Sequence, residues 1–267
     1  MNMSTAHCAL TIAGSDSGGG AGIQADLKAF AAHRVHGLSA VTALTAQNTR
    51  SVSAVHVTPV PVLQAQIDAC FDDFNITAVK LGMLANAQIA HAVADALQAH
   101  RPAAIVLDPV MFAITGARLL ETSAVAVLRQ RLIPMATLIT PNIPEAESLL
   151  ERTITTPACA DRAVQDLLAL GAGAVLLKGG HLDEGNDVVD RYSDGSNLVR
   201  FTHPRLPLQA HGTGCSLAST IAALLCRQQP LSTACESAIG YVARGLQWGY
   251  QPGKGAVRVL DHIGAAR

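Results

Sequence analysis

The sequence His211-Gly212-Thr213-Gly214-Cys215 opens a segment whose hydrophobic pattern predicts a helix. In residues 216–228, the apolar positions have the spacing of one buried stripe: Leu217, Ile221, Leu224 and Leu225. Glycines directly before a helix leave its first N–H groups open to a ligand, and these groups carry the positive end of the helix dipole. The stretch therefore predicts an anion-binding turn, typically for phosphate, at the start of a core helix.

Cys215 falls in the first turn of this predicted helix. Because a helix N-terminus lowers the pKa of a thiol, we expect Cys215 to ionise more readily than a free cysteine. Taken alone, the same sequence fits a glycine-containing loop before a core helix with a buried cysteine equally well. The rest of the chain has to decide between these interpretations.

The composition of the 267 residues predicts one large α/β domain over residues 1–267, with a core supplied by 49% hydrophobic residues. The net charge is -1 and there is no basic run, so we expect neither nucleic acid nor an anionic membrane as a partner. No apolar run is long enough to span a membrane, and the N-terminus lacks the pattern of a signal peptide. The six cysteines fit neither a zinc site nor a disulfide framework, which favours a reduced, cytoplasmic protein.

Short apolar strands alternate with amphipathic helices along the chain, from a strand at residues 8–13 to a helix at residues 233–248. This alternation predicts a mostly parallel central sheet with helices on both faces. Residues 188–202, which are interrupted by an Asp-Gly pair, predict a β-hairpin. Asp108, Asn142 and Lys178 each end an apolar strand, and we expect them to meet at the carboxyl edge of the sheet, where such folds bind ligands.

Of two familiar nucleotide-binding motifs, the P-loop does not match the sequence and the dinucleotide fingerprint is severely weakened. The P-loop requires Gly-Lys followed by Ser or Thr, whereas Gly253-Lys254 is followed by Gly255. Gly20, Gly22 and Ala25 nearly match a dinucleotide fingerprint, but no Asp or Glu occurs from residue 27 to residue 67, where the ribose-binding acid belongs. The turn at residues 212–215 therefore remains as the phosphate-binding candidate.

Asp108, Glu145 and Lys178 supply the side chains that phosphoryl transfer requires. Each alone also fits a polar residue satisfied at the end of a helix or strand. Together they offer carboxylates for Mg²⁺ and a cation for phosphate oxygens. Gln47 adds a carboxamide, whose donor and acceptor match the edge of an aminopyrimidine, although a turn glutamine in water fits equally well.

A series of motifs along nearly the whole chain resembles the hydroxymethylpyrimidine/phosphomethylpyrimidine kinases of thiamine biosynthesis, which belong to the ribokinase-like superfamily. The motifs are ALTIAGSDS at residues 9–17, GGAGIQADLK at 19–28, TAL at 42–44 with QN at 47–48, KLGML at 80–84, DPVM at 108–111, TPNIPEAE at 140–147, KGGH at 178–181 and HGTGC at 211–215. The resemblance implies a single-domain, ribokinase-like three-layer sandwich. It also implies ATP and Mg²⁺ as co-substrates and a homodimer.

The resemblance also implies a role for individual residues. The pyrimidine is expected near Gly14, Asp26, Gln47, Met83 and Val110. The metal is expected near Asp108, Asn142 and Glu145, and ATP near Lys178, Thr213 and Gly214. Catalysis is expected from Lys178, Gly212, Gly214 and Cys215, with Cys215 at the position where many ribokinase-like sugar kinases carry an aspartate base.

Two segments depart from the family pattern. After Val110-Met111 the family usually carries a basic residue in a short flap, where this chain has Ile114. The tail has Gly253-Lys254-Gly255 but then continues as Ala-Val-Arg rather than Gly-Pro. Since both segments are candidates for contacting the monophosphate, the second of the two phosphorylations is expected to depend on other basic residues or to be slow.

The sequence thus predicts an enzyme that phosphorylates 4-amino-5-hydroxymethyl-2-methylpyrimidine to the monophosphate and then to the diphosphate. A pyridoxal-type kinase of the same fold is the nearest alternative, because both substrates are flat rings that bear hydroxymethyl groups. A pyrimidine-binding sensor without catalysis is a third possibility. Cys215 and Lys178 argue against it, since binding alone needs no thiol at a phosphate-binding turn.

Overall fold

The computed structural model describes residues 6–113 and 116–267. Its strands are β1 (Cys8–Asp16), β2 (His36–Gln47), β3 (Val52–Val57), β4 (Ile76–Leu81), β5 (Ala104–Leu107), β6 (Leu138–Ile139), β7 (Val175–Leu177), β8 (Asp187–Ser193), β9 (Leu198–Pro204), β10 (Ala210–His211) and β11 (Arg258–Val259). Its α-helices are α1 (Gly22–Ala32), α2 (Val60–Asp73), α3 (Ala87–His100), α4 (Thr122–Val127), α5 (Ile143–Leu150), α6 (Pro157–Leu168), α7 (Thr213–Cys226), α8 (Leu231–Gln247) and α9 (His262–Ala265). After α4 the chain continues through a π-helical turn, Leu128–Leu132, and a 3-10 turn, Ile133–Met135.

A nine-stranded sheet runs through these elements in the order β3-β2-β1-β4-β5-β6-β7-β8-β9. The six strands from β2 to β7 in this order are parallel to their neighbours. Strand β3 at one edge, and β8 and β9 at the other, pair antiparallel. The predicted, mostly parallel sheet is therefore confirmed, and the hairpin predicted over residues 188–202 is formed by β8 and β9.

Alternating side chains of each central strand enter two separate cores. On β4, Val79 and Leu81 pack with the helices α2 to α6, whereas Ala78 packs with α1, α7 and α8. This is the period-2 alternation of a strand covered on both faces. Small residues such as Ala78 on the second face let α7 pack closely against β4 and β5. The three-layer arrangement expected from the sequence is confirmed.

The parallel strands all end at the same edge of the sheet. Asp108 follows β5, and Asn142, just beyond β6, forms an isolated parallel bridge with Lys178, which follows β7. Helix α7 begins at this edge because the short pair β10–β11 brings residue 211 beside it. The expected meeting of three strand-end residues is thus confirmed. Within residues 6–113 and 116–267, no helix has the length and apolarity needed to cross a membrane.

Candidate active site

A cavity of about 870 Å³ lies at the carboxyl edge of the parallel strands. All the residues that the sequence assigned to a site line this cavity except Asp26: Gly14, Gln47, Met83, Asp108, Val110, Asn142, Glu145, Lys178, Gly212, Thr213, Gly214 and Cys215. These residues come from widely separated parts of the chain. The fold therefore gathers the expected pyrimidine, metal and phosphate residues around a single space.

The turn before α7 is built for close contact with backbone. Gly212 has a φ of +79°, in the left-handed region that favours glycine, and a side chain there would collide with the carbonyl oxygen of Gly20. A Cβ at Gly214 would lie 3.0 Å from Lys178 Nζ and 3.5 Å from Asp108 Oδ2. The first turn of α7 thus lies directly beside a lysine and a carboxylate, with its open N–H groups at the cavity.

Two carboxylates surround the ammonium of Lys178. Its Nζ lies 2.9 Å from Asp108 Oδ1 and 3.8 Å from Glu145 Oε2. Thr140 Oγ1 also donates to Asp108 Oδ1, at 3.3 Å. Burial alone would lower the pKa of Lys178, but the attraction of Asp108 and Glu145 holds this pKa above its ordinary value. Lys178 is therefore a permanent cation at physiological pH.

Asn142 and Glu145 form a capping box at the start of α5, in which each side chain accepts a hydrogen bond from the backbone N–H of the other residue. Glu145 N donates to Asn142 Oδ1 at 2.9 Å, and Asn142 N donates to Glu145 Oε2 at 2.8 Å. The side-chain oxygen of Asn142 thus caps the helix and orients Glu145, and its expected role as a metal ligand stays a prediction. Burial raises the pKa of Glu145 to about 7, although Lys178 opposes the shift.

The structure contradicts the expected ionisation of Cys215. Burial raises the pKa of this thiol to about 11, whereas the position at a helix N-terminus predicted a lowered value. The positive charge of Lys80 and a backbone hydrogen bond from Gly22 oppose the shift but do not cancel it. The loss of hydration in the cavity wall outweighs the helix dipole here, so the thiol is protonated at neutral pH.

Asp26 lies beneath the cavity rather than in its wall. Its carboxylate is fully buried and accepts hydrogen bonds from Thr11 Oγ1 and Ser219 Oγ, each at 2.6 Å. Lys80 Nζ lies 2.9 Å from each of its two oxygens. Asp26 is therefore not among the residues that line the cavity, whereas Lys80 is, and the expected contact of Asp26 with the pyrimidine stays a prediction.

Asp16 organises the glycine-rich loop between β1 and α1. Its carboxylate accepts from the backbone N–H groups of Gly18 at 2.7 Å, Gly20 at 3.0 Å and Ala21 at 2.9 Å. Burial alone would raise the pKa of Asp16, but the hydrogen bonds from His211 and the loop lower it below its ordinary value. A permanently ionised Asp16 thus fixes the loop that contacts Gly212.

Gln47 is tied to the same loop through His211. His211 Nε2 lies 2.8 Å from Gln47 Nε2 and 3.0 Å from Asp16 Oδ2. A ring nitrogen either donates or accepts, so it cannot serve an amide NH₂ and a carboxylate at the same time. Gln47 Oε1 accepts a hydrogen bond from Thr45 Oγ1 at 3.2 Å. Thr45 and His211 therefore both lie against the Gln47 amide at the cavity.

The far end of the cavity has a different chemistry. Its lining there is largely apolar and comes from α8 and the segment after β9: Leu206, Leu208, Ile239, Val242 and Leu246. The cavity lining thus combines this apolar end with the charged side chains of Lys178, Asp108 and Glu145 and with a polar end at Gln47. Such a combination of surfaces suits a flat base, a phosphate chain and a polar heterocycle in one continuous space.

Sequence reasoning missed Asp16, Lys80 and the site role of His211. Lys80 had a detectable signal, because it is one of only four lysines and stands in the apolar strand Ile76–Leu81. A charged residue in such a strand needs a buried partner or a ligand. Asp16 precedes a glycine run, a position from which a carboxylate commonly binds backbone N–H groups. The contact of His211 with Gln47 had no local signal.

Comparison with known proteins shows which family this chain belongs to. The family model described as phosphomethylpyrimidine kinase matches residues 16–260. A hydroxymethylpyrimidine/phosphomethylpyrimidine kinase of Bacillus subtilis is 44% identical, with 90% of this chain and 89% of that protein covered. The thiamine biosynthesis bifunctional protein ThiED of Geobacter sulfurreducens is 47% identical over 96% of this chain, but the chain spans only 52% of that protein.

Solved structures show the same architecture. A phosphomethylpyrimidine kinase from Clostridium difficile superposes with a TM-score of 0.80 at 38% identity, covering 90% of this chain and 99% of that one. A Bacillus subtilis pyridoxal kinase in an ADP complex gives a TM-score of 0.90 at 30% identity, covering 97% and 98%. The ribokinase-like resemblance is thus confirmed in fold, and the matched length and identity show that the chain belongs to the phosphomethylpyrimidine kinase family.

Proposed function

We propose that this kinase transfers the γ-phosphate of ATP to the hydroxymethyl group of 4-amino-5-hydroxymethyl-2-methylpyrimidine, and then phosphorylates the monophosphate to the diphosphate. The observation that carries the proposal is the single cavity, in which Gln47, Met83 and Val110 face the same space as Lys178 and Cys215. The pyrimidine would bind at the polar end. Adenine would bind at the apolar end formed by α8 and residues 206–208, which brings the phosphates to the start of α7.

In this arrangement, different residues would neutralise phosphate charge, accept the proton and exclude water. The open N–H groups of Thr213 and Gly214, with Lys178, would neutralise charge on the transferred phosphoryl group. Cys215 would take the proton of the attacking hydroxyl, and the apolar wall would exclude water. Gly212 contributes through its backbone, because only glycine permits the contact between the two loops.

Mg²⁺ fits the carboxylates of Asp108 and Glu145. In the part of the chain that the structure describes, no cluster of three or more His, Cys, Asp or Glu side chains forms a dedicated metal cage. Magnesium in kinases commonly needs only one or two carboxylates, since phosphate and water complete its ligands. Bound there, it would neutralise phosphate charge, while Asn142 holds Glu145 in place.

Asp108→Asn is expected to raise the Mg²⁺ concentration needed for half-maximal activity, because one of the two carboxylates loses its charge. Titrating Mg²⁺ at fixed ATP and pyrimidine measures this, with Asp95→Asn at the exposed pair with Arg131 as a control. Full turnover of the wild-type protein in excess EDTA would rule out the metal assignment.

Gln47→Leu is expected to weaken pyrimidine binding by about 1–3 kcal/mol, the usual cost of leaving a buried polar group without its partner. The KM for the pyrimidine should therefore rise by about one order of magnitude, while the KM for ATP changes little. Steady-state kinetics with both substrates varied provide the measurement. Gln98→Leu on the exposed face of α3 is the matched control, and an unchanged pyrimidine KM in Gln47→Leu would remove this residue from the site.

A competition assay separates the leading function from its nearest alternative. The similarity in fold to pyridoxal kinases makes pyridoxal the relevant competitor. We expect the hydroxymethylpyrimidine to be turned over with the higher kcat/KM, and preference for pyridoxal would reverse the assignment. Demonstrated pyrimidine binding without ATP consumption would instead favour the sensor. Following both phosphorylated products by phosphorus NMR tests the second step.

The short flap after Met111 and the C-terminal tail are the two segments that depart from the family pattern. Ile114 stands where the family usually has a basic residue, and it lies outside residues 6–113 and 116–267. The tail can be placed: Gly255 N donates to Thr49 Oγ1 at 3.1 Å, which sets the tail beside the turn after Gln47. A slow second phosphorylation remains a prediction, and Ile114→Lys should then accelerate it relative to the first.

We also infer that the protein is a homodimer. The edge strand β3 is exposed along most of its length, with Val55 43% exposed, and Leu44 on the neighbouring strand β2 is 52% exposed. Such an edge with apolar side chains is suited to association with a second copy. We expect Leu44→Glu to shift the sedimentation coefficient from dimer to monomer, whereas Val199→Glu on the opposite edge strand should not. A monomeric wild-type protein would contradict the inference.

A cytoplasmic location is part of the same proposal. The six cysteines are free thiols, and three of them are buried: Cys8, Cys226 and Cys235. Thiols persist in the reducing environment of the cytosol, which also supplies ATP. Fractionation of cells that express the tagged chain would test this location, with periplasmic and membrane markers as controls.

A further inference from the structure

We propose that Lys80 is a positioning residue for phosphoryl transfer: its ammonium, held by Asp26, stabilises the thiolate of Cys215. The catalytic consequence rests on the proposed function, whereas the effect on the thiol itself does not. In the reaction, the thiolate would take the proton of the substrate hydroxyl as its oxygen bonds to the γ-phosphorus and the bond to the leaving ADP breaks.

The geometry places the ion pair directly below the thiol. The N-terminal ends of α1 and α7 meet at Gly22 and Cys215, and one turn further along, Asp26 of α1 accepts a hydrogen bond from Ser219 of α7. Residues four apart lie on the same face of a helix, so Ser219 lies beneath Cys215. The Asp26 carboxylate therefore sits one turn below the thiol, with Lys80 bound to it.

The ammonium of Lys80 has one N–H donor left after its two contacts with Asp26. Its side chain is fully buried, and its hydrogen bonds within the described residues both go to Asp26. An ammonium carries three N–H donors, and Lys80 lines the same cavity as Cys215. A Cβ at Gly82 would lie 2.8 Å from Lys80 Nζ, so the glycine leaves room for the ammonium. Lys80 therefore has one N–H donor that is not used by Asp26, at a cavity that it shares with the thiol.

Electrostatics support this assignment. Burial is the largest influence on the pKa of Cys215 and raises it, while the charge of Lys80 is the strongest influence in the opposite direction. Asp26 and Asp108 raise this pKa further, and Lys178 also faces the thiol. A buried ion pair by itself is a poor source of stability, because desolvation offsets its attraction. Because the Lys80–Asp26 pair lies below the thiol of Cys215, the ammonium of Lys80 can stabilise the thiolate.

The test is the pH profile of Cys215 alkylation by iodoacetamide, followed by mass spectrometry of the peptide that contains it. We expect Lys80→Met to slow alkylation about tenfold at mildly alkaline pH, a shift of about one pKa unit, because the stabilising charge is gone. Asp26→Asn should accelerate it, since Lys80 then acts without its counterion. Damage to the fold would move both variants in the same direction, so shifts of equal sign would overturn the proposal.

A neutral double variant covers the case in which the single variants do not fold. Lys80→Met/Asp26→Asn keeps the hydrogen-bonding group for Thr11 and Ser219 without a buried unpaired charge. Because Lys80 affects the thiol more strongly than Asp26 does, alkylation of this variant should still be several-fold slower than in wild type. An unchanged profile would overturn the proposal, and Arg129→Met at the exposed pair with Glu151 controls for net charge. Alkylation needs no turnover, so this result stands apart from that of the kinase assay.

Discussion

Cys215→Ala is expected to lower kcat about 100-fold, within the range that a positioned base contributes, and to leave ATP affinity nearly unchanged. The thiol lies at the first turn of α7 between the expected positions of pyrimidine and phosphate. Cys215→Asp should retain appreciable activity, because a carboxylate can accept the same proton. Steady-state kinetics with both substrates varied give kcat and the KM for ATP, and Cys159→Ala, half-buried at the start of α6 and outside the cavity, is the control.

The pH dependence of kcat offers a second measurement of the same residue. With a pKa of about 11, Cys215 is protonated throughout the neutral range. The basic form is the thiolate, so kcat should rise about tenfold for each pH unit below that pKa. In Cys215→Asp this rise should disappear at neutral and alkaline pH, since a carboxylate is already ionised there.

The competing view assigns most of the catalysis to the N–H groups at the start of α7. On that view Cys215→Ala would remain within a few-fold of wild type, and kcat would show no thiol-dependent rise with pH. That pair of results would remove the base role and leave the kinase function intact. Protection of Cys215 from alkylation by bound pyrimidine would still place the thiol beside the substrate.

Lys178→Met is expected to reduce kcat by about two to three orders of magnitude, the usual cost of removing one donor that stabilises transition-state charge. Two effects add here. The phosphoryl group loses its cation, and the carboxylates of Asp108 and Glu145 lose the ammonium that separates them at 2.9 and 3.8 Å. Repulsion between the two carboxylates then favours protonation of Glu145, whose pKa burial already raises to about 7.

The measurement is kcat for the first phosphorylation, with thermal unfolding followed in parallel to confirm that the variant is folded. Arg131→Met, which breaks the exposed pair with Asp95, is the matched control for the loss of one cation. Lys178→Arg keeps the charge and should recover part of the activity. If Lys178→Met retained wild-type kcat, Lys178 would be a structural counterion for Asp108 rather than a catalytic residue.

Several features of this protein follow from the sequence because they depend on local patterns. Hydrophobic periodicity identifies strands and helices, and their alternation leads to a mostly parallel sheet. Polar residues directly after apolar strands, such as Asp108 and Lys178, must then meet at one edge. Glycines before a helix mark the turn at Gly212, where phosphate is expected to bind, for the same local reason. The motif series adds the family and its substrate class.

Only the tertiary structure showed which long-range partners the site side chains have and how burial shifts their pKa values. Asp26 meets Lys80 across 54 residues and Ser219 across 193, so no local pattern could show that its carboxylate is occupied below the cavity. Asn142 differs in this respect, because its capping contact with Glu145 spans only three residues and is a local pattern. The ionisation of Cys215 was predicted with the wrong sign. A helix N-terminus can be read from the sequence, but the pKa also depends on the burial produced by distant segments, and burial has the larger effect here.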